Sequence, residues 1–264
     1  MTCCDRGGGV TGKGNSVLHR AFRILKLFDP ARVEMSLTEI AWAADLPLPT
    51  AYRITRELVD LGLLERNEQK VYRIGTSLWE IGVRSSHVLR LREVAMPFME
   101  DLQVAVRQHT SLSILAAGEV LVLERLASHN EVPNISQIGG RLPIHATSPG
   151  LLMLAYSDPE FQESILARPL RRYTDRTVTS SAELRTILAE VRARRYAVAD
   201  GTINPLGGGV ATAIRDRADN VIAALSITYG LDEPVVQSVL PALVATARSI
   251  SRAVSAQPQL SQSD

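Results

Sequence analysis

The sequence is poor in cysteine, with only Cys3 and Cys4, two neighbours in a glycine-rich leader. Disulfide frameworks need spaced pairs, so this pattern indicates a reducing compartment, and we expect a cytoplasmic protein. No apolar run approaches the ~20 residues that cross a bilayer, and the N-terminus lacks the apolar core of a secretion signal, so no membrane contact is expected. The five histidines share no helical face and have no CxxC partner, which argues against a metal site.

Excess charge is also absent, because the formal net charge is +1 over 264 residues. This balance excludes a global attraction to polyanions. The hydrophobic fraction of 45% is that of a globular protein, and the length suits two domains. Even residues 16–75 hold nearly as many acidic as basic side chains. Any contact with nucleic acid must therefore come from a local arrangement of basic residues, with reliance on a dimer.

The leader, residues 1–15, contains a misleading match to a nucleotide-binding motif. Residues 7–13 fit GxxxxGK, the start of a phosphate-binding loop. Gly14 stands where that loop needs a Ser or Thr for magnesium, and no predicted strand precedes the match. We therefore interpret the leader as flexible and expect no cofactor.

Residues 36–62 predict two short helices joined by a tight turn. Ser36 can cap the first helix, and Glu39 can return the bond in a capping box. Pro47 ends this helix, because proline pushes the preceding residue out of the helical region and cannot donate a hydrogen bond. The apolar stripe predicted for the second helix is Ala51, Ile54, Leu58 and Leu61. The pair is typical of a helix-turn-helix.

The second helix leaves a mostly polar set on its outer face near its N-terminus. This set is Pro49, Thr50, Tyr52, Arg53 and Arg56. Arginine forks onto phosphates or guanine edges, and hydroxyl groups donate to phosphate oxygens. Because the first turns of a recognition helix enter the major groove, we predict that this set and Ser36 contact double-stranded DNA. The alternative is an ordinary helical hairpin whose polar face is only solvated.

Two short apolar-bearing runs, residues 63–66 and 71–74, surround a polar turn after the second helix. They predict a β-hairpin in the position of a wing. Arg66, Lys70 and Arg73 give this wing a basic edge for the DNA backbone. An earlier helix is predicted to complete the core with the stripe Val17, Leu18, Ala21, Phe22, Leu25 and Phe28. We therefore predict a winged helix-turn-helix domain over residues 16–76.

The segment after the wing carries more apolar side chains than a small DNA-binding domain can bury. These are Leu78, Trp79, Ile81, Val83, Val88, Leu89 and Leu91. Such a surplus is typical of a linker helix, here residues 77–92, and of a subunit interface, so we expect a homodimer. The alternative is that these residues pack only on their own chain.

The remaining sequence alternates strand pairs with helices. The predicted strands are residues 112–116, 120–126, 196–200, 210–215 and 221–229. Ser148 is predicted to cap a helix whose first residue is Pro149. A final amphipathic helix is expected at about residues 234–254. This pattern predicts an α+β domain over residues 93–255, followed by a disordered tail, residues 256–264.

The motifs, in their order and spacing, resemble the IclR family of bacterial transcriptional regulators. They are the winged motif, HATSPG at residues 145–150, YTDRT at residues 173–177, and YAVAD at residues 196–200 leading into residues 210–216. The resemblance covers about residues 16–254. It implies an N-terminal winged helix domain, a linker helix and a C-terminal GAF-like domain that binds a small organic effector. It also implies dimers that associate into tetramers.

The resemblance places the effector over the helix start that follows the HAT-type loop. Matching by position gives the effector site as Thr147, Ser148, Gly150, Asp200, Gly208, Gly209 and Ser226. A helix N-terminus, with its partial positive charge and unpaired amides, favours an anion. We therefore expect an organic carboxylate, aromatic or aliphatic.

The chain departs from the family pattern at several of these positions. Leu151 stands where relatives usually have Lys or Arg, and Ala199 and Thr202 stand where many have acids. Gly209 replaces a frequent Cys or Ser. With the glycine run 207–209, these departures predict a roomier and more apolar pocket than one for tiny polar acids. The alternative is that the glycines only form a β-bulge.

The sequence therefore favours a DNA-binding repressor of catabolic genes that responds to an organic acid. An activator of the same architecture stays open, as does a signalling module that binds a partner protein. A hydrolase would have to use His145, Ser148 and Asp200. Because Ser148 lacks a GxSxG elbow and is expected to cap a helix, we expect no catalytic residues.

Overall fold

The computed structural model describes residues 16–29, 32–85, 87–128, 136–232 and 235–256. The leader with its GxxxxGK match, Cys3 and Cys4, and almost all of the predicted tail lie outside these residues. The chain divides into two compact units between residues 86 and 87, inside the segment predicted as a linker. Among the described helices, none has the length and apolar content needed to cross a membrane.

The first unit combines four helices with a small antiparallel sheet. The helices are α1 Val17–Leu25, α2 Leu37–Ala43, α3 Leu48–Asp60 and α4 Thr76–Ser85. The strands are β1 Met35–Ser36, β2 Leu64–Arg66 and β3 Val71–Ile74, in the order β1-β3-β2. This is the predicted winged helix-turn-helix, with β2 and β3 as its wing.

Local hydrogen bonds explain where α2 begins and ends. Ser36 Oγ accepts from the Glu39 amide at 3.3 Å, and Glu39 Oε2 accepts from the Ser36 amide at 2.7 Å. This confirms the predicted capping box. Asp45 then takes a left-handed φ of 48° after the cap, and the chain turns into α3. The core between the helices consists mainly of Ile24, Ile40, Ala44, Ile54 and Leu58.

Two predicted apolar stripes in this unit are partly wrong. Val17, Leu18 and Phe22 of α1 are exposed, whereas Ile24 is fully buried. Because the single apolar face of α1 is wider than the surface that the core of this unit covers, periodicity alone does not say which part of that face is buried. Leu61 is also exposed, because it is the C-cap of α3 and lies beyond the last buried turn.

The wing is joined to a strand that the sequence pattern does not reveal. Strand β1 pairs with β3, with Met35 opposite Tyr72. Both side chains are buried, in the same core cluster as Leu64 of β2. The wing is therefore the end of a three-stranded sheet whose other edge leads directly into α2.

The second unit is built on a six-stranded antiparallel sheet. Its strands are β4 His109–Ala116, β5 Glu119–Leu126, β6 Arg141–Leu142, β7 Tyr196–Asp200, β8 Gly207–Arg215 and β9 Val221–Gly230, in the order β6-β5-β4-β9-β8-β7. Its helices are α5 His87–Val106, α6 Ser148–Ala155, α7 Pro159–Leu166, α8 Ser181–Arg194 and α9 Val235–Ala256. This architecture confirms the predicted α+β class.

The two faces of this sheet differ in the size of their side chains. One face carries large residues such as Leu225 and Tyr229 and packs against α5 and α9. The opposite face carries small ones and packs against α6 and α8. The alanines of this second face are Ala197, Ala199, Ala211 and Ala224. Small side chains on the sheet leave space under the start of α6.

Candidate functional site

The outer face of α3 presents its basic residues to solvent. The Arg53 side chain is 57% exposed and that of Arg56 is 70% exposed. Arg53 Nη1 lies 3.5 Å from Glu57 Oε1, and Arg56 Nε lies 4.0 Å from Asp60 Oδ2. Exposed pairs one turn apart on a helix are weak, so either guanidinium can exchange its partner for a phosphate or a base.

The other residues predicted to contact DNA from this part of the domain differ in their exposure to solvent. Tyr52 and Pro49 are exposed and Thr50 is half-buried. Ser36 lies at the start of α2, where its hydroxyl donates to Glu39 Oε2 at 2.7 Å. Ser36 therefore already has a structural role as a cap.

The wing arranges its three basic residues differently. Arg73 Nε and Nη2 donate to Glu65 Oε2 at 2.9 and 2.7 Å across the β2–β3 pair. This bond holds the pKa of Glu65 below its usual range, with help from the amide of Thr76. The Arg66 guanidinium lies 5.4 Å from the centre of the Tyr72 ring. Lys70 occupies the turn itself, with a left-handed φ of 64°.

A cavity of about 70 Å³ lies at the start of α6 in the second unit. A single water needs only ~10–15 Å³ by this measure, so a small organic molecule can enter. Hydroxyl groups line much of it, including those of Ser111, Ser113, Ser148, Thr202, Ser226 and Thr228. None of the lining side chains that the structure describes is ionisable.

The structure brings five of the seven sequence-predicted effector residues to this cavity. These are Thr147, Ser148, Gly208, Gly209 and Ser226. Gly150 and Asp200 are not among the lining residues that the structure describes. A Cβ on Gly150 would lie 2.2 Å from the Ile144 carbonyl oxygen, so this glycine permits close packing of α6. Asp200 Oδ1 accepts a hydrogen bond from the Tyr229 hydroxyl at 2.7 Å.

Burial and the bond to Asp200 raise the pKa of Tyr229 above its ordinary value, in that order of importance. The phenol is thus held in its neutral, donating form. A Cβ on Gly208 would lie 2.4 Å from Asp200 Oδ1 and 2.5 Å from Tyr229 Cε2. The pair therefore packs directly on the backbone of Gly208, on the face of the sheet that α5 and α9 cover. The cavity lies on the opposite face, under α6.

The predicted cap of α6 is wrong by one residue. Thr147, not Ser148, is the N-cap, and its Oγ1 accepts from the Gly150 amide at 3.3 Å. The Thr147 hydroxyl also donates to the Pro143 carbonyl at 2.9 Å, which favours this register. Pro149 fits either register, because the amides of the first helical turn have no partner within the helix. The Ser148 hydroxyl is consequently left to face the cavity.

The glycine run 207–209 is not a bulge. Strand β8 pairs with β7 and β9 in regular register through these residues, and its only recorded shift lies at Ile214 and Arg215. A Cβ on Gly209 would lie 2.8 Å from the Ser148 Oγ. Gly209 therefore keeps open the space between β8 and α6.

The YTDRT segment holds the loop that closes one side of the cavity. Thr174 Oγ1 donates to the Gly201 carbonyl and Thr177 Oγ1 to the Thr202 carbonyl, both at 2.6 Å. Thr202 Oγ1 in turn donates to the Ala146 carbonyl at 2.7 Å. This chain of threonine bonds links the loop after β7 to the residues just before α6.

Sequence reasoning missed several residues of this site, among them Ser111 and Ser113 of β4. Both are buried, and neither hydroxyl oxygen has a hydrogen-bond partner in the described structure. The signal that could have found them is the alternation of polar and apolar residues around Leu112, which places both serines on one face of a strand.

The side chains considered for a hydrolase have other partners. His145 Nε2 lies 3.0 Å from the Arg171 carbonyl oxygen, and Asp200 binds Tyr229. Neither contact orients a base towards Ser148. Across the described ranges, no group of three or more His, Cys, Asp or Glu side chains is placed to hold a metal ion.

Comparison with known proteins identifies both units. The model of the IclR helix-turn-helix domain matches residues 17–68, and that of the bacterial transcriptional regulator IclR C-terminal domain matches residues 83–252. The glycerol operon regulatory protein of Streptomyces coelicolor is 29% identical over 241 residues, which cover 90% of this chain and 94% of that protein. The transcriptional repressor AllR of Escherichia coli is 28% identical over 222 residues, covering 83% of this chain and 82% of that protein.

A solved structure has a similar fold. The IclR homologue from Microbacterium hydrocarbonoxydans, in complex with 4-hydroxybenzoate, is 40% identical, with a TM-score of 0.86, and covers 92% of this chain and 100% of its own. The winged helix-turn-helix, the sheet flanked by helices and the two family matches agree with each other along the chain. The chain belongs to the IclR family of DNA-binding bacterial transcriptional regulators.

Proposed function

We propose that this regulator represses a catabolic operon and that its DNA binding responds to a small organic carboxylate. The observation that carries the proposal is the hydroxyl-lined cavity at the start of α6, in the unit that does not contain the helix-turn-helix. Relatives named as a repressor and as an operon regulatory protein support the repressor role. The protein then acts in the cytoplasm, where bacterial operators lie.

In this proposal, α3 and the wing contact the operator. Arg53 and Arg56 are exposed on the outer face of α3, and they act with Thr50, Tyr52 and Pro49 in the major groove. Lys70 and Arg66 bind the backbone beside the groove. Arg73 and Ser36 support the wing and the first helix through their bonds to glutamates, and they contribute to the same surface.

The cavity favours a carboxylate that is held without a salt bridge. Its described lining has no cation, so the hydroxyl groups and the N-terminus of α6 must bind the carboxylate through hydrogen bonds. The Microbacterium relative binds 4-hydroxybenzoate, an aromatic acid of suitable size. We infer that aromatic monocarboxylates bind here more tightly than very small acids.

The regulator acts as a homodimer and assembles further into a dimer of dimers. Exposed apolar residues on α4, among them Trp79 and Ile81, supply a surface for the first association. A two-fold dimer matches a palindromic operator, and it compensates for the modest affinity of one weakly basic module.

A single titration tests the proposal. The purified full-length chain is mixed with labelled DNA from beside its own coding region at several salt concentrations, then titrated with benzoate, 4-hydroxybenzoate and aliphatic acids. We expect specific binding that an aromatic acid weakens. Acids that strengthen binding would instead indicate an activator, and no specific binding at any salt concentration would reject the DNA-binding surface named above.

A further inference from the structure

We propose that the effector is a monocarboxylate with a hydroxyl group at its far end, and that Ser111 and Ser113 bind this hydroxyl. The inference rests on the proposed function, because it names the class of ligand that the cavity accepts. It adds a second recognition point, on β4, to the carboxylate site at the start of α6.

The first observation is the state of the two serine hydroxyls. Ser111 is 3% exposed and Ser113 is 1% exposed, and both line the cavity. Neither Oγ has a hydrogen-bond partner in the described structure. Burying a hydroxyl without a partner is unfavourable, and native proteins rarely leave such groups unsatisfied. Two such groups close together indicate that a bound molecule supplies their missing hydrogen bonds.

The second observation is where these serines lie relative to the carboxylate site. Ser111 is paired with Ser226 of β9, and Ser226 is paired with Ala211 of β8. All three therefore belong to the face of the sheet that α6 covers. Ser148 lies over Gly209 of β8, so β9 separates the two ends of the cavity.

Strands β8 and β4 lie on either side of β9, so the distance between them is two strand spacings, about 10 Å. An acid of two or three carbon atoms cannot contact both ends at once. A carboxylate and a hydroxyl on opposite sides of one ring can do so. The register of the sheet thus selects the length of the ligand as well as its two polar groups.

The third observation is the absence of ionisable side chains from the described lining. A second carboxylate at the β4 end would be buried without a compensating charge, which is strongly unfavourable. A neutral hydroxyl can both donate to one serine and accept from the other. The far group is therefore a hydroxyl, and dicarboxylates of the same length are excluded.

Calorimetry on the full-length chain at neutral pH, without DNA, tests this assignment with 4-hydroxybenzoate and benzoate. We expect the wild type to bind 4-hydroxybenzoate about tenfold more tightly, the value of one good hydrogen bond. The double variant Ser111→Ala/Ser113→Ala should bind both acids with equal affinity. Ser148→Ala, at the other end, is the matched control and should weaken both acids by the same factor.

The ligand-free thermal midpoint of the double variant provides an independent readout. Removing two unpartnered buried hydroxyls should leave the midpoint unchanged or raise it. A clear fall would show that the serines are bonded internally and would overturn the proposal. Equal affinity of the wild type for both acids, a preference that survives in the double variant, or binding of neither acid would also overturn it.

Failure of this inference is distinguishable from failure of the proposed function. The DNA titration described above uses a different readout and includes aliphatic acids. If another acid still weakens operator binding while the wild type does not discriminate 4-hydroxybenzoate from benzoate, the regulatory function stands and only the role of Ser111 and Ser113 is rejected.

Discussion

A single exposed guanidinium on α3 tests the placement of the recognition helix. Arg53→Ala should weaken specific operator binding by about 1–3 kcal/mol per subunit, because it removes a base or phosphate contact. Folding should be unaffected, since the lost pair with Glu57 is exposed and weak. Fluorescence anisotropy with labelled operator measures the effect.

The matched control is Arg185→Ala, which removes an arginine of similar side-chain exposure, 52% against 57%, from the other unit. Arg185 is also paired with a glutamate, so both variants lose one exposed ion pair. If Arg53→Ala binds the operator as the wild type does, the recognition surface has been assigned to the wrong face of the helix-turn-helix.

Residue roles were predictable where short-range rules apply. The Ser36–Glu39 capping box follows from a three-residue spacing, and the structure confirms it. The choice between Thr147 and Ser148 as a cap was wrong because the conformation of the loop before α6 brings the Pro143 carbonyl to the Thr147 hydroxyl, and the residue types alone do not reveal that conformation. Ser111 and Ser113 were missed because only the pairing of β4 with β9 brings them beneath α6.

The helix α2 should lose stability in acid in a specific way. Hydrogen bonds from Ser36, first from its hydroxyl and then from its amide, hold the pKa of Glu39 below the usual 4.5. A lowered folded-state pKa contributes stability that is present above the unfolded-state value and is lost as pH falls through the folded-state value. Glu39→Gln should therefore be less stable than the wild type at neutral pH, and the difference should shrink below about pH 4.5.

Thermal unfolding followed by circular dichroism at neutral and acidic pH measures this difference. Glu34→Gln, which removes an exposed carboxylate outside the capping box, is the control for the loss of one negative charge. If the thermal midpoints of Glu39→Gln and the wild type differ by the same amount at all pH values, the charge of Glu39 does not stabilise α2.

The helix α4 leaves apolar side chains uncovered within its own unit. Trp79 is 71% exposed and Ile81 is 58% exposed. If a second copy of the chain covers this face, Ile81→Glu should shift the protein towards monomers, because an unpaired carboxylate would be buried in the interface. Sedimentation equilibrium gives the molar mass. Val33→Glu, at a similarly exposed apolar residue outside the helices, should leave the mass unchanged.

Elements with strong local signals were predicted, and elements that depend on distant pairing were not. The wing strands β2 and β3 and the strand β7 lie within a residue of their predicted positions. Strand β1 was missed because it has two residues and exists only through its pairing with β3. The buried residues of α1 were partly misassigned because its apolar face is wider than the core beneath it, and only tertiary packing selects the part that is covered.

At the scale of the whole molecule, the cavity and the DNA-binding surface lie in different units, so regulation requires coupling between them. A ligand shifts the equilibrium between two conformations only through its different affinity for each. Gly209→Leu should fill the cavity, because even its Cβ would lie 2.8 Å from the Ser148 Oγ. Operator affinity without effector should stay near the wild-type value while the response to effector is lost.

One experiment can measure both quantities for Gly209→Leu and for Ser226→Ala, which removes a lining hydroxyl. Gly209→Ala serves as the graded control, because its single added carbon would be too close only to the Ser148 Oγ and should cause a partial loss. If Gly209→Leu responds to the effector at the same half-saturating concentration as the wild type, the ligand binds elsewhere in the molecule.

The pairing of β1 with β3 also limits how far the wing can move relative to α2. Because Met35 and Ser36 belong to the same sheet as the wing and lead directly into α2, the wing cannot swing without dragging the start of that helix. The sheet thus fixes the spacing between the proposed contact of the helix-turn-helix in the major groove and the proposed contact of the wing with the DNA backbone. In the proposed complex with DNA, each chain should tolerate base changes beneath the wing, but not an insertion between the two contact points.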